Sequence, residues 1–409
     1  MREAAFWLGV LIGLSLFGVL FVLAPLVGLF FDESRLTPVL RLIGLQIPLS
    51  SISMIPLAWM KRAFQFRRYA LIQLASSLVM ILVAVWGGMK GWGYWAYVVG
   101  LLSGSVLMLV LTLLFLEWRP GWHIHWRWWG KIGQFSAFVL AEMVLGWLFV
   151  WLDNVIVARQ LGSEAAGVYS LAFNIATTTI ALPLSAITGV ALPVFSRLQS
   201  DPGHLREVYL RLTGVIAALA LPVAFGLVLF GPPLLRLVYP QRWESLGVLL
   251  PALALYAGFG HLWILNGDAF KAIGRPELMV KIYLPMVAIT FPLYWWSSQH
   301  GLVIFTYSRS LVVVVGAVLH TWFAVQYLRL KKSYVLEVIY PPLFAALLAG
   351  WGVVMLMFLR THYLHNLQNR VSFLWIAALW GSVLYGGVLY KIFPDFTETC
   401  VHIFSLWRR

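Results

Sequence analysis

Charged side chains are scarce in this sequence, and several that interrupt its apolar runs recur at helical spacing. Glu142 and Asp153 stand eleven residues apart, three turns of an α-helix, and share a face with Gly146 and Phe149. Arg309 and His320 repeat that interval with Gly316 between them, and His261, Asp268, Lys271 and Arg275 follow one stripe. An ionisable group at membrane depth is costly, so by default it marks a pathway or a binding site. Arginine and lysine can hold an anionic group through charge-assisted hydrogen bonds, whereas carboxylates and histidine can take up a proton or a cation. Each residue also has a structural reading. Asp153 and His320 can be packing contacts, Arg309 and Arg41 can snorkel to an interface, and Asp268, Lys271 and Arg275 can form a solvated helix end. The chemical reading makes Arg309, Lys271, Arg275 and Arg41 candidate substrate ligands. It makes Glu142, Asp153, Asp268 and His320 candidate ion-coupling or cavity residues.

The elements that must carry these groups follow from composition. Of 409 residues, 61% are hydrophobic and 11% charged, against about a quarter charged in an ordinary soluble domain. So few charges cannot cover a water-exposed surface, and the apolar runs extend from end to end. The net charge of +14 would suit nucleic acid in a soluble protein. Here the basic residues sit in short segments between apolar runs, where anionic lipid is the fitting partner. Cys400 is the single cysteine, which excludes an intrachain disulfide and a cysteine-based metal site. The first apolar run, 5–31, is too long for the roughly 7–15-residue core of a signal peptide and reads as a retained helix.

Lipid offers no partner to exposed backbone amides, so each crossing needs about 20 apolar helical residues. That template predicts an all-α polytopic membrane protein of about twelve spans: 5–31, 36–60, 69–89, 92–116, 135–157, 165–195, 212–235, 245–267, 278–299, 302–328, 335–359 and 371–390. With both termini in the cytoplasm, 20 of the 29 basic residues fall inside, among them Lys61, Arg62, Arg67, Arg68, Lys331, Lys332, Arg408 and Arg409. Lys61 and Arg62 are then topology signals. The tryptophans 118, 122, 126, 128 and 129, interleaved with Arg119, His123, His125 and Arg127, read as interfacial anchors rather than a nucleic-acid surface. His123 and His125 lack a third ligand, so no metal is expected.

Spans one to four overlie spans seven to ten at an offset of 207–210 residues. Pro25 then falls on Pro233, Lys61 on Lys271 and Gly93 on Gly301. The later copy is preceded by two additional spans, so equal copies would require about 75 further residues before Met1. Repeated bundles of this kind enclose a substrate site and alternate its access. The predicted division is an incomplete N-terminal lobe of four helices at 1–132, a six-helix lobe at 133–332, and two accessory helices with a cytoplasmic tail at 333–409.

The segment Trp151-Leu-Asp-Asn-Val-Ile-Val-Ala-Arg-Gln-Leu-Gly162, followed by Ala166-Gly-Val-Tyr-Ser-Leu-Ala172, resembles the passage between the seventh and eighth helices of the bacterial oligosaccharide flippases. These are the polysaccharide-transporter branch of the multidrug, oligosaccharidyl-lipid and polysaccharide exporter superfamily. Pro193-Val-Phe-Ser-Arg-Leu-Gln199 and Ala272-Ile-Gly-Arg-Pro276 are similar in kind and order. The resemblance implies a two-lobed, inverted-V transporter of fourteen helices that moves undecaprenyl-diphosphate-linked sugars across the bacterial inner membrane. Arg2 to Trp7 looks like the beginning of that family's third helix, so two preceding helices are expected on this ground as well. The implied partners are a lipid-linked oligosaccharide, membrane lipids and H+ or Na+. No cofactor and no nucleic acid are expected.

Two other functions stay open. A drug or small-solute exporter would use acidic cavity residues, which Glu142 and Asp153 supply. A membrane glycosyltransferase or polysaccharide polymerase would need a large extracytoplasmic loop. The longest outer connection is roughly the eleven residues from Arg360 to Arg370, and no nucleophile-elbow, zinc-protease or phosphate-loop motif occurs.

Overall fold

The computed structural model describes residues 2–63, 65–115, 129–363 and 370–398, and among them every α or 3₁₀ element is helical, with no strand. Among the described residues, eleven segments are long and apolar enough to cross a membrane. One of them, Val144–Ser185, is 42 residues long and overlaps two of the twelve expected spans, 135–157 and 165–195. The reason is local: a single helical element, α6 (Trp129–Arg197), is broken at Gly162, where φ is 86° and ψ 173°. Only glycine adopts that backbone conformation without steric cost, and the chain reverses there. The two arms of α6, 129–161 and 163–197, fold back on each other through Trp151 on Phe173 and a 2.8 Å hydrogen bond from Ser170 Oγ to Asn154 Oδ1.

The chain divides into two compact units, 1–141 and 142–409. The first contains α1 (Arg2–Phe30), α2 (Leu36–Gly44), α3 (Gln46–Arg62), α4 (Phe66–Met89) and α5 (Tyr94–Leu114). Helices α4 and α5 pack closely because Gly100 and Gly104 present no side chain: a Cβ on Gly100 would lie 2.7 Å from the Met80 carbonyl oxygen. Small residues spaced by four are the ordinary means of bringing helices together in lipid, where there is no hydrophobic drive between them. Outward-facing residues such as Val22, Leu29, Leu78 and Leu82 are 57–76% exposed, a surface suited to hydrocarbon.

The second unit contains α6 from residue 142 onward, α7 (Pro202–Val238), α8 (Ser245–His261), α9 (Asn266–Ala272), α10 (Glu277–Ser298), α11 (Leu302–Tyr327), α12 (Lys332–Tyr363) and α13 (Arg370–Ile392). The start of α7 is set by Asp201, whose carboxylate accepts from the backbone amides of Gly203 and His204 at 3.1 Å, with Pro202 in the first turn. Helix α8 packs on α7 and α11, α10 on α11, and α12 on α7 and α13.

The internal repeat is visible in this pairing. Helix α1 packs on α3 as α7 packs on α8, α3 on α5 as α8 on α11, and α4 on α5 as α10 on α11. Gly93 and Gly301, aligned in sequence, both precede a helix with positive φ, 57° and 97°. Lys61 and Lys271 each sit in the last turn of a helix.

Candidate functional site

Helices α8 and α9 form one membrane-length segment, Ser245–Ala272, interrupted at residues 262–265. Across the interruption the backbone switches to hydrogen bonds that span three residues rather than four, Leu262 N to Phe259 O, Ile264 N to His261 O and Asn266 N to Trp263 O. Such irregular backbone at membrane depth is tolerated where protein or a cavity, rather than lipid, surrounds it. Here the break borders a cavity of about 410 Å³ within the second unit, and Trp263 and Ile264 from the break itself line it. Lys271, Asp268 and His261 supply its polar groups, with Thr177 from α6. The aromatic wall comes from Phe149 and Phe173 on the two arms of α6, Tyr256 and Trp263 beside the break, and Tyr283 on α10.

Behind this wall lies a buried ion pair. Arg309 of α11 pairs with Asp153 of α6, and both are fully buried. The Tyr169 hydroxyl, from the second arm of α6, donates to Asp153 and meets the Arg309 guanidinium, which also donates to the Val150 carbonyl at 3.0 Å. The guanidinium carbon lies 4.3 Å from the Phe173 ring centre and 4.2 Å from that of Tyr256, so cation–π contacts connect the ion pair to the rings that line the cavity. An Asp–Arg pair in an apolar interior is tolerated only when its remaining polar atoms are also satisfied, and here all but Arg309 Nε are. The reversal at Gly162 is what brings Asp153 and Tyr169, sixteen residues apart, onto one guanidinium.

A second polar link joins three helices. The Tyr209 hydroxyl of α7 donates to Asn266 Oδ1, and Asn266 Nδ2 donates to the His320 carbonyl of α11 at 3.0 Å. The His320 ring stacks on Trp263 at 5.0 Å with 9° between planes and meets Tyr283 edge-on at 6.2 Å.

The expected site residues therefore separate into groups. Of the four residues on one stripe, His261, Asp268 and Lys271 line the cavity and Arg275 does not, and His261 Nδ1 lies 2.7 Å from the Ala257 carbonyl of its own helix. Arg309 does not reach an interface or the cavity; its charge meets Asp153. His320 lies behind Trp263. Arg275 is at the surface, with its guanidinium 5.6 Å from the Tyr327 ring centre. Arg41, in the first unit, donates to the Phe21 carbonyl of α1 at 3.3 Å and lies over the Phe21 ring. The side chain of Glu142 and the stretch from Trp118 to Trp128, with His123 and His125, lie outside the described residues. Residue spacing did not single out Tyr169, Phe173, Tyr256, Trp263 or Tyr283. Tyr169 stood in the motif without a role, and the aromatics carried no periodic signal among 63 such residues.

A family model described as "Polysaccharide biosynthesis protein" matches residues 2–247. Among curated relatives, the teichuronic acid biosynthesis protein TuaB of Bacillus subtilis is 24% identical over 275 residues, covering 67% of this chain and 57% of its own. The lipopolysaccharide biosynthesis protein WzxC of Escherichia coli is 26% identical over 300 residues, covering 69% and 60%. The succinoglycan biosynthesis transport protein ExoT of Rhizobium meliloti is 24% identical, covering 72% and 57%. The chain thus spans less than two thirds of the length of these relatives. In fold it is similar to the lipid II flippase MurJ in an inward closed conformation, with a TM-score of 0.74 and 14% identity over 97% of this chain and 84% of that one.

Proposed function

The chain belongs to the polysaccharide biosynthesis protein family, and from that premise we infer that it translocates an undecaprenyl-diphosphate-linked oligosaccharide across the bacterial inner membrane by alternating access. The observation that carries this reading is the broken helix α8–α9 bordering a cavity that is aromatic along its wall and ends in Lys271. A lipid-linked saccharide combines an anionic diphosphate with amphipathic sugar rings, and this lining offers a partner to each. The names of the relatives refer to saccharide-polymer biosynthesis, and that of ExoT to transport, which supports a saccharide cargo. For coupling to H+ or Na+ the candidate on the cavity is Asp268, while Asp153 pairs with Arg309 in the conformation described. That engagement also removes one of the two carboxylates on which an exporter of cationic drugs would have relied.

The test is the full chain in proteoliposomes loaded with undecaprenyl-diphosphate oligosaccharide on one leaflet. Protein-dependent appearance of sugar on the opposite leaflet, read with an impermeant lectin and accelerated by a proton or sodium gradient, is the expected result. Gradient-driven movement of a lipophilic cation with no movement of the sugar lipid would overturn the reading in favour of the exporter. Orientation follows from the basic asymmetry: a reporter fused after Arg68 should read cytoplasmic, and an extracytoplasmic signal there would invert the proposed topology.

A further inference from the structure

Resting on the lipid-linked saccharide reading, we propose that the cavity of the second unit is a glycan subsite. In it Trp263, Tyr256 and Tyr283 present ring surfaces to the C–H faces of a pyranose, while Asp268 and His261 hydrogen-bond to its hydroxyl rim and Lys271 is left to the diphosphate. The wall has the two-sided chemistry of a sugar ring. A pyranose is apolar on its axial C–H faces and polar around its edge. It is bound by flat rings with donors and acceptors set beside them, and this lining sets Asp268 and His261 beside Tyr256, Trp263 and Tyr283. At about 410 Å³ the cavity is within the range of small-molecule sites, which bury ligands against aromatic walls with a few placed polar groups.

The rings are held in place from behind. His320, buried and 1% exposed, covers one face of the Trp263 indole and the edge of Tyr283. Asn266 fixes the His320 backbone, and Tyr209 fixes Asn266. Arg309 backs the Tyr256 ring in the same way. Trp263, Tyr256 and Tyr283 all stay partly exposed on the cavity. His320 is on this account a positioning residue for the platform, and nothing in its geometry requires it to touch the ligand.

The experiment compares binding of two lipids to the purified full chain in nanodiscs: undecaprenyl diphosphate carrying a short oligosaccharide, and undecaprenyl diphosphate alone. Trp263→Leu should weaken the sugar-bearing lipid about tenfold and leave the sugar-free lipid unchanged, in line with the loss of one stacking surface. Trp263→Phe should retain most of the affinity. If Trp263→Leu binds both lipids as wild type does, or loses both equally, the subsite is overturned. A second measurement needs no variant. A photoreactive group on the sugar should label wild-type residues 256–271 or 277–283, and labelling confined to other segments would overturn the proposal. Wild-type chain that binds neither lipid would remove the lipid-linked reading itself. Wild-type chain that binds both equally would remove the subsite alone.

Discussion

Asp153→Asn should lower the stability of the membrane-inserted protein by about 3–5 kcal/mol, because it leaves the Arg309 guanidinium buried without a counter-charge. Arg309→Gln should be similarly damaging, leaving Asp153 charged in an apolar interior. The double variant Asp153→Asn with Arg309→Gln should recover most of the loss, since neither charge then remains. Thermal unfolding in detergent and abundance in membranes are the readouts, and the interaction free energy from the double-mutant cycle decides. Additive single effects would mean that the pair is not coupled. The recovery also distinguishes this role from direct binding of substrate by Arg309, for which the double variant would fold well and still fail to transport.

Lys271→Gln should reduce affinity for the diphosphate-bearing lipid about ten- to hundredfold, the equivalent of one charge-assisted hydrogen bond of about 1.5–3 kcal/mol. Its abundance should be unchanged, because Lys271 is exposed at the end of α9. Lys271→Arg should bind nearly as wild type, and raising salt should weaken wild type more than Lys271→Gln. Arg275→Gln provides the contrast. Arg275 lies against Tyr327 and outside the cavity lining, so its loss should cost much less. Equal effects at the two positions would mean that binding senses general surface charge rather than this cavity.

Some of this was readable in one dimension because membrane burial is a constraint on composition. Any backbone amide in lipid must be bonded within its own helix, so each crossing appears as a long apolar run. Among the described residues, ten of the expected spans each coincide with one membrane-length segment, two of these segments being interrupted helices, and the other two fall in α6. Those two are the arms of α6 on either side of Gly162, and sequence alone does not distinguish a glycine that reverses the chain from the many that pack. Three of the four stripe residues, His261, Asp268 and Lys271, line one cavity, because helical periodicity places such residues on one side even through a short break, whereas Arg275 lies beyond the end of α9 and outside the lining.

Periodicity along one helix says which side chains share a face; it does not say what that face meets. Arg309 and Asp153 were each recognised as costly charges and given separate roles, one toward a substrate anion and one toward a coupling ion. They lie 156 residues apart in the chain, and only the packing of α11 against the folded-back arms of α6 shows that each is the other's partner. Trp263 and Tyr283 were invisible for a related reason. Aromatic residues are common in any membrane-embedded chain, so their presence predicts lipid contact, interface and core equally well. The sequence by itself determined that the chain is a helical membrane protein with an internal repeat and a basic, aromatic-rich composition. Only the tertiary structure decided which charges neutralise one another and which rings border a cavity, because both depend on contacts between helices whose side chains are uncorrelated along the chain.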